Sequence, residues 1–165
     1  MKTIIIYATK YGSTAEVAKR IKTELDEEAH LCNILTDHIP QLEAYDTVIL
    51  GGSIYMGCVQ KQITEYINGH LKELLSKNVG LFLCAGEQKE DTRLKELQSA
   101  FPEVLFQHAA AKEVLGYAYS FEKMKFFDKL IMKKMKGDSI STSEFSDSRI
   151  ALFAKSLKSI EGTSE

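Results

Sequence analysis

The sequence predicts an α/β three-layer sandwich, in which one five-stranded parallel sheet carries helices on both faces. Short runs of β-branched and apolar residues alternate along the chain with segments whose apolar residues recur at helical spacing. No internal repeat or low-complexity tract interrupts this alternation. The length of 165 residues, with 44% hydrophobic and 27% charged residues, suits one globular domain with a sizeable core.

The strands are predicted from β-rich runs that end in small or turn-forming residues. In chain order they cover residues 2–8, 31–36, 47–51 and 79–84, and a last strand begins near Leu105, breaks around residues 109–111 and resumes over 113–117. Asp46 introduces the third strand and Gly51 closes it.

The helices are predicted from apolar residues spaced three and four apart. The first begins near Ser13 or Thr14, and the others cover about 60–75, 91–100 and 147–159. Pro102 marks the end of the third helix. The domain is therefore predicted to span residues 1–160, with an inserted segment at 121–137 and a polar tail at 161–165.

The composition and the termini of the apolar runs exclude several classes of protein. The first apolar run stops at Tyr7 and Ala8 and is followed by polar residues of a helix, so we expect a strand rather than an export signal. The longest apolar runs are too short to span a membrane. Without an export signal, the protein is expected to be cytoplasmic and its cysteines to be reduced thiols. These cysteines are scattered along the chain and predict no metal site; they are Cys32, Cys58 and Cys84. The net charge of −2 does not indicate a nucleic-acid partner.

Ligands of such a sheet are expected beyond the carboxyl ends of its strands. The five strands suit two doubly wound orders, and the pattern of elements does not choose between them. In either order three loops meet at this edge, and they contain residues 9–14, 53–58 and 86–91.

The first of these loops has the composition of a phosphate site. It contains, in order, Thr9, Lys10, Tyr11, Gly12, Ser13 and Thr14. A helix N-terminus offers unpaired N–H groups and the positive end of the helix dipole, three hydroxyl groups add donors, and the glycine lets the backbone fold around an anion. The simpler alternative is a capping box, in which Ser13 and Glu16 satisfy the end of the helix.

Other phosphate-binding loops do not match this sequence. The chain has neither the G-x-x-x-x-G-K-S/T loop of nucleotide triphosphatases nor the G-x-G-x-x-G loop of dinucleotide-binding domains. A phosphate-receiver domain needs acidic residues after the first strand, where this chain has Thr9 and Lys10, and an aspartate at the end of the third, where it has glycines.

The run from Tyr7 to Thr14 closely resembles the signature of the flavodoxin family, a strand followed by T/S-x-x-G-x-T and a helix. This resemblance implies the strand order 2-1-3-4-5. It also implies that FMN is held non-covalently, with its phosphate bound at Thr9 to Thr14.

The other two loops are predicted to contact the flavin ring. The second loop contains Ser53, Ile54, Tyr55, Met56 and Gly57, and the third contains Ala85, Gly86 and Glu87. Small residues let a flat ring approach the backbone, and an aromatic side chain can stack on it. In flavodoxins the second loop lies against the isoalloxazine near its N5 edge. The third matches the position of the loop at the N1/O2 edge, where an acidic side chain would disfavour the anionic reduced form.

The inserted segment 121–137 differs from a plain flavodoxin. Between residues 122 and 136 it holds six lysines and two acidic residues, a local charge of +4 in a chain of −2. At 100° per residue Lys125, Lys129, Lys133 and Lys136 form one stripe, and large apolar residues occupy most of the remaining circumference. Such a helix suits a membrane surface or an apolar, acid-bearing substrate, and the alternative is a helix that only covers the core.

Nearly the whole chain is similar to the menaquinone-dependent protoporphyrinogen oxidases. The runs that carry this resemblance are 51–57 and 126–142. It implies that FMN takes electrons from protoporphyrinogen IX and passes them to menaquinone, with peripheral contact at the inner face of the cell membrane. The alternatives are a flavodoxin that carries single electrons between redox proteins and a domain without FMN. No side chain is predicted as catalytic, since the four histidines are expected in structural or exposed positions and no general base is evident.

Overall fold

The computed structural model describes residues 1–25, 28–54, 58–86, 89–119 and 142–160. Strands and helices alternate through most of it, as the sequence predicts. In chain order the elements are β1 (Thr3–Tyr7), α1 (Ser13–Glu24), β2 (His30–Asn33), a 3₁₀ turn (Leu42–Ala44), β3 (Thr47–Ser53), α2 (Lys61–Leu74), β4 (Asn78–Cys84), α3 (Glu90–Ala100), α4 (Glu103–His108), β5 (Ala111–Tyr119), β6 (Thr142–Phe145) and α5 (Asp147–Lys158).

The strands form one sheet of order β2-β1-β3-β4-β5-β6. The first five strands pair in parallel and confirm the order 2-1-3-4-5 that the family resemblance implies. Tyr7 pairs with Gly51, and Ser53 pairs with Cys84. The chain therefore leaves β1, β3 and β4 at the same edge of the sheet, where ligands of such folds bind.

The central strands are buried on both faces, which is why they are continuous apolar runs. On one face α2, α3 and α4 cover a core whose members include Ile4, Ile6, Leu50, Ile63, Leu81 and Leu105. On the other face α1 and α5 cover a second core, whose members include Ile5, Val17, Ile21, Ile49, Phe82 and Phe153.

The prediction that the last parallel strand begins near Leu105 is wrong. Residues Glu103–His108 form helix α4, which directly follows Pro102. Proline is favoured at the start of a helix because its fixed φ suits the first turn and its missing N–H is not needed there. Leu105 and Phe106 are adjacent apolar residues, as in a strand, but both point from this short helix into the core. Strand β5 begins only at Ala111.

The sheet has a sixth strand that the sequence did not predict, and this strand runs antiparallel to β5. Its four residues, Thr142–Phe145, are mostly polar and give no alternating pattern of useful length. Gly116 makes the pairing close, because its φ is 147° and a Cβ there would lie 2.5 Å from the Glu144 carbonyl oxygen. The prediction of a purely parallel, five-stranded sheet is therefore wrong at this edge.

The β5–β6 pair brings Tyr119 opposite Thr142. Tyr119 and Thr142, the described residues on either side of the stretch 120–141, therefore lie at the carboxyl end of β5. The predicted amphipathic segment 121–137 and the polar tail 161–165 lie outside the described residues. Among the helices that are described, none is long and apolar enough to cross a membrane.

Candidate functional site

The loop between β1 and α1 folds back on itself at Gly12. The Gly12 N–H donates a hydrogen bond to the Thr9 hydroxyl oxygen at 2.9 Å, and the Gly12 φ of 98° lies in the left-handed region. Glycine reaches that region at low cost, whereas residues with a Cβ do so at a penalty. The predicted loop residues Thr9 to Thr14 thus close into one turn at the entrance to α1.

Among the described residues, the N-terminus of α1 has no side-chain cap. Gly12 occupies the N-cap position, and no cap hydrogen bond from a side chain is found there. The capping box of Ser13 and Glu16, the simpler alternative, does not form, since the Glu16 carboxylate instead accepts from Arg20 Nε at 2.9 Å. The N–H groups and the positive dipole end of this helix are therefore available to bind an anion, since no described side chain caps them.

Thr14 supplies a buried hydroxyl at the same place. Its side chain is fully buried, and its hydroxyl oxygen has no well-aligned hydrogen-bond partner among the described residues. A buried hydroxyl without a partner costs free energy and, in a native protein, points to a missing ligand or water. The uncapped helix end and this hydroxyl fit a bound phosphate group.

The Cys84 thiol lies beneath the loop, next to the Thr14 hydroxyl. Burial raises the pKa of Cys84 to about 12, and the neighbouring Thr14 hydroxyl opposes that shift only in part. The thiol is therefore uncharged at neutral pH and adds no negative charge under an anion.

The outer part of the loop is formed by Lys10 and Tyr11. The Lys10 ammonium lies 5.4 Å from the centre of the Tyr11 ring, within the range of a cation–π contact. Lys10 is exposed and Tyr11 is half-buried. Both side chains border the same turn as the N-terminus of α1.

The predicted ring-contacting loops begin side by side. Strand β3 ends at Ser53, and the Ile54 N–H donates to the Cys84 carbonyl oxygen at 2.9 Å. The Ala85 N–H donates to the Gly116 carbonyl oxygen at 3.0 Å, and Gly86 is exposed directly after it. Tyr55, Met56, Gly57 and Glu87 were also predicted for these loops, and they lie outside the described residues.

The contact made by Gln60 was not predicted from the sequence. The Gln60 side-chain oxygen accepts from the Ser53 N–H at 2.9 Å, and its side-chain nitrogen donates to the Ser53 hydroxyl oxygen at 2.7 Å. The only available signal was a polar residue just before a helix, and that pattern normally suggests a cap. Here the side chain turns back to the strand seven residues earlier.

Two of the histidines make contacts with backbone carbonyl oxygens away from these loops, and no metal site is found in the described part of the chain. No group of three His, Cys, Asp or Glu side chains that could hold a metal occurs in the described ranges. His108 was predicted in a strand but lies in α4, where its Nε2 contacts the Lys77 carbonyl oxygen at 2.8 Å. His70 Nδ1 contacts the carbonyl oxygen of Tyr66 within α2.

Residues 4–148 match a family model described as a flavodoxin domain. The chain is also similar to a protein of Escherichia coli (strain K12) named protoporphyrinogen IX dehydrogenase (quinone). The two sequences are 27% identical over 171 aligned residues, which cover 95% of this chain and 94% of that protein.

Solved structures share the fold. Oxidised flavodoxin 2 from Bacillus cereus aligns with a TM-score of 0.59 at 23% identity, covering 97% of this chain and 99% of that one. The WrbA-like flavodoxin from Agrobacterium tumefaciens aligns with a TM-score of 0.58 at 20% identity, covering 96% and 98% of the two chains. At these identities the likeness concerns the fold alone.

Proposed function

We propose that this chain, which belongs to the flavodoxin domain family, is an FMN-dependent oxidoreductase that passes electrons from a reduced organic substrate to a quinone. FMN is the cofactor of the family. The observation that carries the proposal is the pairing of the helix end at Gly12, which has no side-chain cap among the described residues, with the buried Thr14 hydroxyl, which has no well-aligned partner among them.

We place the FMN phosphate in the turn of Thr9, Lys10, Tyr11, Gly12, Ser13 and Thr14. The first-turn N–H groups of α1 would donate to the phosphate oxygens, and the Thr14 hydroxyl would add a donor from below. Neutral donors and a helix dipole suffice for a desolvated phosphate. The Thr9 hydroxyl oxygen already accepts from Gly12, so its own hydrogen stays free to point outward.

We place the isoalloxazine ring against the ends of β3 and β4. Ser53 and Ile54, with Tyr55, Met56 and Gly57, would border one side of the ring, and Ala85, Gly86 and Glu87 another. When bound, FMN supplies the redox chemistry, and the protein supplies orientation and electrostatics. The residues named here would bind and orient the ring.

Three features support a protoporphyrinogen-type reaction, with protoporphyrinogen IX as donor and menaquinone as acceptor. The name of the E. coli relative states that substrate and a quinone, and the similarity covers 95% of this chain. Segment 121–137 is basic and apolar, which suits a substrate with acidic groups and an apolar ring, or a lipid surface. Tyr119 and Thr142, which flank the stretch containing this segment, pair with each other at the edge of the sheet where β5 ends.

The second candidate is a carrier of single electrons between redox proteins. Oxidised flavodoxin 2 from B. cereus has the same fold over 97% of this chain, so the fold is compatible with this alternative. The two functions differ in what segment 121–137 must do. A carrier has no need of it for substrate, whereas the enzyme would use it to meet the porphyrinogen, the quinone or the inner face of the cell membrane.

Deletion of residues 121–137 tests the choice. The deletion variant and the full chain are both loaded with FMN, and anaerobic oxidation of protoporphyrinogen IX is followed with menadione as the acceptor. A matched variant replaces Lys125, Lys129, Lys133 and Lys136 with glutamine and keeps the length. We expect both variants to retain FMN and to lose most of the activity. Undiminished activity in both would refute a role for the segment, and a full chain without activity would favour the carrier.

A further inference from the structure

The side chain of Gln60 joins the two ends of the loop that follows β3. Its oxygen accepts from the Ser53 N–H at 2.9 Å, and its nitrogen donates to the Ser53 hydroxyl oxygen at 2.7 Å. Both polar atoms of the amide are therefore used on one residue at the end of the strand. The Gln60 carbonyl oxygen accepts from the Ile63 N–H at 3.1 Å, so the same residue also begins α2.

The Ser53 N–H needs this partner because of where it points. Successive residues of a parallel strand direct their N–H groups to opposite neighbours. The Ile54 N–H bonds to β4, through the Cys84 carbonyl oxygen, so the Ser53 N–H points toward β1. The last hydrogen bond between β1 and β3 on that side runs from the Ala8 N–H to the Gly51 carbonyl oxygen. After Ala8 the chain turns away from the sheet into the loop of residues 9–14. The Gln60 side-chain oxygen thus accepts the hydrogen bond that a longer β1 would have accepted from the Ser53 N–H.

Packing holds the amide over the strand end. A Cβ added at Gly52 would overlap the side chains of Val59 and Gln60, which shows how closely they lie on the backbone there. The two hydrogen bonds are part-buried, and Ser53 is half-buried. Partial burial makes such bonds harder for water to replace and fixes the end of the strand in one conformation.

We infer that Gln60 is a positioning residue for the flavin ring, which acts by holding Ser53 and Ile54 in the conformation that contacts the isoalloxazine. The inference rests on the proposed placement of the ring against this loop. It predicts that Gln60 contributes to the affinity for the ring and contributes nothing to the recognition of the phosphate.

Riboflavin, which has the ring but no phosphate, separates these two contributions. Fluorescence titrations of the apoprotein give dissociation constants for FMN and riboflavin in the wild type and in Gln60→Leu. The matched control is Gln62→Leu, which makes the same change at an exposed position of α2. Loss of two hydrogen bonds is expected to weaken both ligands by the same factor, roughly tenfold to a hundredfold, with no effect of the control.

Two further variants make the result specific. Ser53→Ala removes only the hydroxyl contact and should weaken the binding of both ligands by a smaller common factor. This variant keeps the test informative if Gln60→Leu fails to fold. Thr14→Val, in the loop of residues 9–14, should weaken the binding of FMN and leave the binding of riboflavin unchanged.

Contacts to the ring also differ between its oxidised and reduced forms, because N5 gains a hydrogen on reduction. The midpoint potential of bound FMN should therefore shift in Gln60→Leu.

Wild-type affinity of Gln60→Leu and Ser53→Ala for both flavins would overturn the role of Gln60 while leaving FMN binding intact. A selective loss of FMN in these variants would overturn it as well, because the residue would then act on the phosphate. A wild-type chain that binds neither flavin would overturn both this inference and the proposed function.

Discussion

The Gly12 N–H donates to the Thr9 hydroxyl oxygen at 2.9 Å, and this contact closes the loop that enters α1. Gly12 holds a φ of 98°, yet a Cβ at this position would meet no atom within 4 Å. The requirement for glycine is therefore conformational rather than steric. The loop keeps its shape only because this residue adopts the left-handed region without penalty.

Gly12→Ala should lower the free energy of unfolding of the apoprotein by about 1–2 kcal/mol and weaken FMN binding, because alanine resists the left-handed conformation. Chemical denaturation and an FMN titration measure the two effects. Gly12→Asn is the control, since asparagine tolerates this region better than alanine. Equal behaviour of Gly12→Ala and the wild type would show that the loop does not depend on this conformation.

Thr14→Val should stabilise the apoprotein by about 1 kcal/mol, because it removes a buried hydroxyl that has no well-aligned partner. It should also weaken FMN roughly tenfold to a hundredfold through the lost donor to a charged phosphate. Thr3→Val is the matched control, since the Thr3 hydroxyl is equally buried and unpartnered but lies at the amino end of β1. Unchanged FMN affinity in Thr14→Val would remove this hydroxyl from the phosphate site.

Gly116→Ala should lower the free energy of unfolding by about 2–4 kcal/mol. The added Cβ would lie 2.5 Å from the Glu144 carbonyl oxygen and 2.8 Å from the Phe145 Cα, at a φ of 147°. Gly69→Ala, inside α2 with no atom within 4 Å, should instead stabilise the protein by about 0.5–1 kcal/mol. A Gly116→Ala variant as stable as the wild type would contradict the close pairing of β5 and β6.

Asp37→Asn should destabilise the protein at neutral pH and not in acid. The hydrogen bond from the Asn33 N–H, and then that from the Thr36 hydroxyl, lower the pKa of Asp37 in the folded protein. A lowered pKa means that the carboxylate stabilises the fold above the unfolded pKa of about 4 and loses this effect as pH falls through the folded pKa.

Urea denaturation of the wild type and Asp37→Asn from neutral to acidic pH measures this difference. The gap in the free energy of unfolding should be largest near neutrality and should close in acid. Glu43→Gln, an exposed neutralisation in the 3₁₀ turn, is the control. A gap that is constant with pH would show that the loss comes from the substitution itself and not from the charge.

The sequence was sufficient where local residues determine local structure. The turn that enters α1 depends on Gly12 and on the Thr9 hydroxyl, and both residues are visible in the chain. The apolar runs of β1, β3 and β4 likewise indicate strands buried on both faces. The family resemblance then added the strand order, which the pattern of elements alone had left open.

The sequence was insufficient where distant contacts decide. Leu105 and Phe106 are compatible with a strand or a helix, and their burial against the core selects α4. Strand β6 is four residues long and exists because the edge of β5 is available to pair with it. Gln60 acts on a residue seven positions away, since β1 ends before it can satisfy the Ser53 N–H. None of these partners can be identified from neighbouring residues alone.

The central claim, an FMN-dependent oxidoreductase that links an organic donor to a quinone, is tested most directly by an anaerobic absorbance titration of the FMN-loaded protein. Protoporphyrinogen IX is added first and menadione second. We predict that a stoichiometric amount of the donor bleaches the flavin absorbance and that menadione restores it. Bleaching by dithionite but not by protoporphyrinogen IX would contradict the proposed reaction and leave the protein as an electron carrier.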